Sequence, residues 1–160
     1  MKIDYQKTID GLKETGLISD GDLCAVCLFQ AESESNGVTS TVTVSTVDYI
    51  MSANGEQLKL FEIDKKTGAY LDSYLVFNKA DLSYGRKGIE RKFIYASRGL
   101  FGGMYVAIHF IAEDFIHTYC IPKSLHGYGQ KEARAALYAF VKQTYNTHYD
   151  KLKELYKAGK

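Results

Sequence analysis

The cysteines and histidines are the side chains of this sequence best suited to metal binding or nucleophilic chemistry. Cys24 and Cys27 have the C-x-x-C spacing that binds zinc or forms a disulfide in a loop or helix. They lie in a compact apolar run, residues 23–29, which predicts a strand. Residues three apart on a strand point to opposite faces, and the same argument applies to His117 and Cys120. We therefore predict core thiols, no metal site and no cofactor.

Other catalytic patterns are equally weak. The paired acids Glu113 and Asp114 fall at a predicted turn, where both carboxylates are solvated. The glycine-rich segment 97–103 lacks the spacing of a phosphate-binding loop and joins two predicted strands, whereas a phosphate loop leads into a helix. Neither pattern therefore predicts a catalytic site.

Two apolar features are candidates for binding a protein partner. Leu100 and Phe101 lie at the tip of segment 97–103, where they either fold back on the core or anchor a partner. Four tyrosines spaced 7, 4 and 7 residues apart form one stripe on a predicted C-terminal helix, which either packs on the sheet or binds a partner. These are Tyr138, Tyr145, Tyr149 and Tyr156.

The densest basic cluster is a candidate site for an anion or an acidic peptide. It consists of Arg86, Lys87, Arg91 and Lys92, with Gly85 and Gly88 around the first pair. A solvated loop is the alternative explanation, since most charge clusters are exposed.

Composition limits the class of protein. The chain has 160 residues, 46% of them hydrophobic and 24% charged, with a net charge of +1. This is typical of one soluble domain, and it excludes the basic excess on which nucleic-acid binding depends. The three cysteines cannot all pair within the chain, which favours free thiols in a reducing compartment. The longest apolar run is far shorter than the about 20 residues that span a bilayer. We expect a cytoplasmic protein that does not bind nucleic acid and does not span a membrane. Weak attachment to a membrane surface through the basic residues 123–160, which have a net charge of +5, is a further alternative.

Hydrophobic periodicity predicts a mainly β (α+β) fold. A short helix over residues 4–15 ends at Gly16, and a long C-terminal helix covers about residues 129–157. Between them we predict seven antiparallel strands, with a polar turn at 31–37 and a type I′ turn at Asn54 and Gly55. The strands are 23–31, 38–53, 58–63, 70–77, 89–96, 104–111 and 115–121.

Seven antiparallel strands followed by one helix resemble a pleckstrin-homology-like domain. Locally, residues 46–63 and 74–82 are similar to the bacterial pleckstrin-homology-like pattern of a tight central hairpin followed by a strand that enters a polar loop. The resemblance covers about residues 20–145 of a single predicted domain, 1–160. It implies a seven-stranded barrel, or orthogonal sandwich, with the C-terminal helix over one open end.

The resemblance implies a binding module. In its lipid-binding members, basic residues lie in the loop between the first two strands, whereas here that loop carries Glu32 and Glu34 and no base. We therefore expect no phosphoinositide binding, and predict a protein or peptide partner, or a homo-oligomer, bound through an exposed edge, the 97–103 tip or the helix. The resemblance thus implies a module that is not an enzyme. The alternative is a small-molecule carrier or enzyme with its ligand inside the barrel, beside Tyr105 and His109, which share one face of a strand.

Overall fold

The computed structural model describes residues 2–27, 30–35, 40–44, 46–81, 91–98, 104–112, 115–122 and 129–145. Within these residues the chain forms two α-helices, nine strands and a short 3₁₀ turn at Lys79–Asp81. The helices are α1 (Tyr5–Glu14) and α2 (Lys131–Tyr145). The strands are β1 (Leu23–Cys27), β2 (Gln30–Ser35), β3 (Ser40–Val44), β4 (Asp48–Ala53), β5 (Gln57–Ile63), β6 (Tyr70–Asn78), β7 (Arg91–Arg98), β8 (Met104–Ala112) and β9 (Phe115–Pro122).

The strands form two separate antiparallel sheets. One has four strands in the order β1-β4-β5-β6, and the other has five in the order β3-β2-β9-β8-β7. Among the described strands each sheet is open, with β1 and β6 at the edges of the first and β3 and β7 at the edges of the second. The predicted seven-stranded barrel is therefore wrong.

The two extra strands come from one stretch of sequence. Residues 31–37, predicted as a turn because of their Glu and Ser content, contribute most of β2, which is paired on both sides by β3 and β9. Residues 38–53, predicted as one strand, contain β3 and β4, which belong to different sheets. The chain bends between them at Thr46 and Val47. Because nearly the whole stretch is β-prone, propensity marks no boundary there.

Helix α1 has clear end signals, and its prediction is confirmed. The Asp4 side chain accepts the Lys7 N–H at 3.2 Å as an N-cap. At the other end Gly16 adopts a left-handed φ of 77°, and the Leu17 N–H donates to the Leu12 carbonyl at 3.0 Å, as in a Schellman motif. The helix buries one face, formed by Tyr5, Ile9 and Leu12.

The two helices cover opposite faces of the four-stranded sheet. The α1 face is built on Ile18, Val26, Ile50, Phe61 and Ile63. The α2 face is built on Ala25, Cys27, Tyr49, Met51, Ala53, Leu58, Leu60 and Phe77, packed against Leu137, Tyr138, Val141 and Tyr145. Strand alternation also sorts the cysteines, because Cys27 belongs to the α2 face and Cys24 packs on the α1 face. The predicted separation of this pair is confirmed.

The β4–β5 hairpin is not closed by a type I′ turn. Asn54 and Gly55 are not among the described residues with positive φ, so this prediction is wrong. Instead, the Asn54 side-chain oxygen accepts the N–H groups of Glu56 and Gln57, both at 2.8 Å. Asparagine thus shapes the turn through its side chain rather than through its backbone.

The described part of the C-terminal helix is shorter than predicted. It runs over Lys131–Tyr145, and residues 146–157 of the prediction lie outside the described residues. Within the described part of the chain, neither helix is long and apolar enough to cross a membrane.

Candidate functional site

Strand β6 forms an open margin of the four-stranded sheet. Among the described residues it pairs with β5 alone, and Asp72 is its only charged residue. Leu71, Tyr74 and Leu75 are 42%, 41% and 36% exposed. A long edge strand with large apolar side chains on it is a surface on which a second polypeptide can pair.

A backbone irregularity divides β6 into two parts. Phe61 pairs with Tyr74 and Ile63 with Tyr70, so two steps along β5 match four steps along β6. Asp72 lies inside this bulge with a left-handed φ of 54°. Residues 74–78 pair with β5 in regular register, and the segment before them bends away from a flat strand.

The tyrosines of this margin rest on a buried phenylalanine. The Tyr74 ring stacks on Phe61 with centroids 5.1 Å apart, and the Tyr70 ring meets Phe61 edge-on at 5.8 Å. Phe61 itself is fully buried. Tyr74 is therefore held in place while a large part of its surface stays in contact with solvent.

A groove of about 470 Å³ lies on the α1 side of this margin. One wall is α1 and the opposite wall is the turn before β6 together with the start of β6. Its lining residues are Asp4, Lys7, Thr8, Gly11, Leu12, Thr15, Leu17, Thr67, Ala69, Tyr70 and Asp72.

The β5–β6 turn is rigid and fixes α1 in place. The Asp64 carboxylate accepts the Lys66 and Thr67 N–H groups at 2.8 Å each, and these bonds lower the pKa of Asp64. Gly68 has a φ of 73° and its carbonyl accepts the Thr8 hydroxyl at 2.7 Å. A Cβ at Gly68 would collide with the side chain of Ile3. The groove therefore has two walls joined at one close contact.

The charges around the groove are mostly negative. Its lining holds two carboxylates, Asp4 and Asp72, and one ammonium group, Lys7. Burial, followed by the nearby charge of Asp72, raises the pKa of Tyr70. The Tyr70 phenol is thus protonated at neutral pH and can donate a hydrogen bond.

A polar cluster lies at the end of the sheet where β4 turns into β5, away from the groove, and its role is structural rather than catalytic. The Asp22 carboxylate accepts the Ser52 hydroxyl at 3.1 Å and the Asn54 amide at 3.2 Å, and the Tyr145 hydroxyl donates to the Asn54 carbonyl at 2.6 Å. Burial raises the pKa of Cys24 beside this cluster, so its thiol is protonated and a poor nucleophile. These bonds tie β1, β4 and α2 together.

Among the described residues, the two cysteines have no neighbouring ligands with which to form a metal centre. Burial raises the pKa of Cys27 to about 12, which keeps this thiol neutral in the core. Within the described ranges, no group of three or more His, Cys, Asp or Glu side chains could hold a metal ion.

The structure corrects the partner-binding assignment of two tyrosines. Tyr138 and Tyr145 are only 4% and 0% exposed, because both belong to the face of α2 that packs on the sheet. Neither ring is available to a partner. Tyr149 and Tyr156 lie outside the described residues.

The other predicted site residues fall on the five-stranded sheet or outside the described chain. Arg91 and Lys92 begin the edge strand β7, opposite Ile111 and Phe110 of β8. Tyr105 and His109 lie four positions apart in β8, which keeps unbroken register with β7 and β9. Leu100, Phe101, Arg86 and Lys87 lie outside the described residues.

Sequence reasoning missed the residues of the β6 margin as a site. The strand itself was predicted at 70–77, and it contains a single charge. Which strand of a sheet lies at its edge depends on long-range pairing, so no local pattern marks Leu71, Tyr74 or Leu75 as exposed. Gly11, a glycine inside a helix, is the one local signal of the groove.

Comparisons with known proteins add little. No family model matches this sequence, and no curated protein matches it either. Among solved structures, the chain is similar to the hSac2 domain from the human phosphoinositide phosphatase Sac2, with 14% identity, 88% of this chain and 84% of that chain covered, and a TM-score of 0.33. A TM-score this low carries no argument, and the resemblance to the pleckstrin-homology-like family stays a prediction.

Proposed function

We propose that this chain is a protein-recognition module that binds an extended segment of a partner polypeptide along the edge of β6 that no described element covers. The observation that carries the proposal is the exposure of Leu71, Tyr74 and Leu75 on an edge strand. The small-molecule alternative at Tyr105 and His109 stays a prediction.

The backbone of β6 supplies the affinity in this mode of binding. Every second residue of an edge strand directs its N–H and C=O groups away from the sheet, and an extended peptide satisfies them as an added strand. Residues 74–78 are the regular part of β6, so pairing is expected there. The bulge at Asp72 limits how far a flat partner strand can continue.

The side chains of β6 supply specificity. Leu75 lies opposite Leu60, which belongs to the α2 face, and Tyr74 stacks on Phe61, which belongs to the α1 face. A partner strand would therefore find an apolar contact on each face of the sheet. An alternating apolar segment fits this surface best.

The charges along β6 favour a partner segment that is itself uncharged. From residue 73 to residue 78 the strand carries no charge. Charges of both signs border this part, because Asp72 precedes it and the exposed Lys79 and Asp81 follow it. We therefore expect an apolar partner segment without a fixed charge preference at its flanks.

A phage-displayed library of random peptides, selected on the immobilised full chain, tests this proposal. We expect the selected peptides to bind Leu75→Lys at least about tenfold more weakly, because a charge on the edge opposes strand addition. The matched control is Leu23→Lys at the other edge of the same sheet, since Leu23 is 37% exposed. This control should bind within about twofold of the unchanged chain.

Three results would overturn the proposal. Peptides that lose affinity equally for both variants bind elsewhere or sense the added charge in general. A library that yields no peptide sensitive to Leu75→Lys leaves the edge without a peptide ligand. Self-association of the chain that Leu75→Lys abolishes, measured by sedimentation velocity, would make a second copy the occupant of this edge.

A further inference from the structure

The glycine at position 11 has no structural explanation within the described residues. Gly11 lies inside α1, where glycine is among the least favourable residues. Its φ is not in the left-handed region, and a Cβ there would meet nothing within 4 Å. Neither backbone conformation nor close packing requires it. Because glycine has no side chain, Gly11 leaves space in the groove that it lines.

The threonine hydroxyls of the groove are already occupied by internal hydrogen bonds. Thr8 donates to Gly68, Thr15 donates to Gly11 and Leu12, and Thr67 donates to Asp64. The rest of the lining is apolar or charged. Its apolar part includes Leu12, Leu17, Ala69 and the ring of Tyr70.

Asp72 is the charged group best placed to meet a ligand. It forms no hydrogen bond or ion pair with the described residues, whereas one oxygen of Asp4 is used to cap α1. The bulge holds Asp72 at a φ of 54°, on the wall opposite α1. Together with Asp4 it outweighs the single ammonium group of Lys7. A cation is therefore the complementary charge.

We propose that the groove between α1 and β6 binds a small organic cation, an amine or guanidinium attached to an apolar group. Its charged end lies beside Asp72, and its apolar end lies over Gly11 and Leu12. A volume of about 470 Å³ lies in the usual range for small-molecule sites.

Three probes of one shape test the charge that the groove prefers. Benzylamine, benzyl alcohol and benzoate are titrated into the isotope-labelled full chain, and backbone amide shifts are followed by NMR. We expect benzylamine to shift amides of α1 and of residues 64–72. Benzyl alcohol should bind at least about tenfold more weakly, and benzoate should produce no shifts there. Equal affinity for benzylamine and benzyl alcohol would overturn the proposal.

Two variants test the position of the ligand without disturbing the fold. Gly11→Leu fills the groove with a residue that favours a helix, so benzylamine binding should be lost while the melting temperature is kept or raised. Asp72→Asn should weaken benzylamine at least about tenfold, because asparagine tolerates a left-handed φ but carries no charge. Unchanged binding by either variant would overturn the assignment.

A matched control and an independence test complete the design. Gly55→Leu adds the same side chain at another glycine with open space around it, outside the groove, so benzylamine binding should stay unchanged. Leu75→Lys should also leave benzylamine binding within about twofold, since Leu75 does not line the groove. The cation site and the β6 edge can thus fail separately; loss of binding in Gly55→Leu would overturn the assignment to this groove.

Discussion

The two edges of the four-stranded sheet are built differently. At the β1 edge, the N–H group of Val26 donates to the side-chain oxygen of Gln130 at 3.0 Å, and Ala25, Val26 and Cys27 are buried. At the β6 edge, no described element pairs with the strand beyond β5, and its apolar side chains are exposed. The first edge is closed by the residue just before α2, whereas no described residue covers the second. Within one sheet, closure therefore depends on where a helix begins and not on the strand's own sequence.

The closed edge depends on an unusual backbone at the start of α2. Gly129 and Gln130 both have left-handed φ values, 70° and 50°, just before the helix. Arg134 reaches back and donates from Nε and from a terminal guanidinium nitrogen to the Gly129 carbonyl, at 3.0 and 2.7 Å. This conformation brings the Gln130 amide to β1. At the β6 edge Asp72 also has a left-handed φ, of 54°. There the backbone forms a bulge, and no element of the described chain covers the strand.

The largest effect is expected from removing an α2 side chain that packs on the face of the sheet. Leu137→Ala deletes a side chain that is 1% exposed against β1 and its neighbours, and should lower the free energy of unfolding by about 3 kcal/mol. Leu75→Ala, at 36% exposure on β6, should cost less than about 1 kcal/mol. Urea denaturation of both variants measures the difference. Equal losses would show that Leu75 of β6 is covered as fully as Leu137 of α2.

A second large effect is expected where α1 meets the β5–β6 turn. Gly68→Ala places a Cβ against Ile3 and asks a non-glycine residue to adopt a φ of 73°, so we expect a loss of about 2 kcal/mol. Gly21→Ala is the control, because it has open space and no left-handed φ. If both variants lose the same stability, the close contact does not hold α1 beside the groove.

The single hydrogen bond that closes the β1 edge should have a measurable effect. Gln130→Met keeps the length of the side chain but removes the acceptor for the Val26 N–H group, and should cost about 1.5 kcal/mol. Gln130→Glu retains an acceptor oxygen and should cost less. Amide hydrogen exchange at Val26 should accelerate in Gln130→Met and stay slow in Gln130→Glu. An unchanged exchange rate in Gln130→Met would mean that the Gln130 side chain does not protect the Val26 N–H group.

The difference between the two edges explains what the sequence could and could not predict. Helix α1, its stop at Gly16 and the opposite placement of Cys24 and Cys27 follow from local periodicity, which the chain satisfies whatever its topology. The strands predicted at 58–63 and 70–77 are also present, because each is a run of apolar residues with turn signals at its ends.

The predictions that failed concern features that depend on long-range strand pairing. The polar segment Glu32–Ser33–Glu34 is a strand only because β3 and β9 lie on either side of it. The break at Thr46 and Val47 carries no turn residues, so one predicted strand concealed two that belong to different sheets. The open edge at β6 was hidden for the same reason, since the order of strands is not written in any one of them.

Tyr145 should link the end of α2 to the sheet in a pH-dependent way. Burial, with the nearby charges of Glu56 and Asp22, raises the pKa of Tyr145 to about 12 from an unfolded value near 10. The contribution of this phenol is complete below pH 10 and is lost as the pH rises from 10 to 12, because the unfolded chain releases the proton first. Tyr145→Phe loses the bond to Asn54 and should cost about 1 kcal/mol at neutral pH.

The measurement for Tyr145 is urea denaturation of both proteins at several alkaline pH values. The stability difference between the unchanged chain and Tyr145→Phe should shrink as the pH rises from 10 to 12. A difference that is constant over this range would show that the phenol titrates at the same pH in the folded and unfolded chains.

The smallest effect is expected from the residue that makes the open edge most apolar. Leu71 is 42% exposed, so Leu71→Thr, which introduces a β-branched strand former into β6, should change the free energy of unfolding by no more than about 0.5 kcal/mol. A loss above about 1 kcal/mol would mean that Leu71 is covered in solution. Either a second copy of the chain or another part of the same chain could cover Leu71. A loss of stability that grows with protein concentration indicates a second copy, whereas a loss that is independent of concentration indicates the same chain. Only a neutral result at all concentrations leaves this leucine free for a partner.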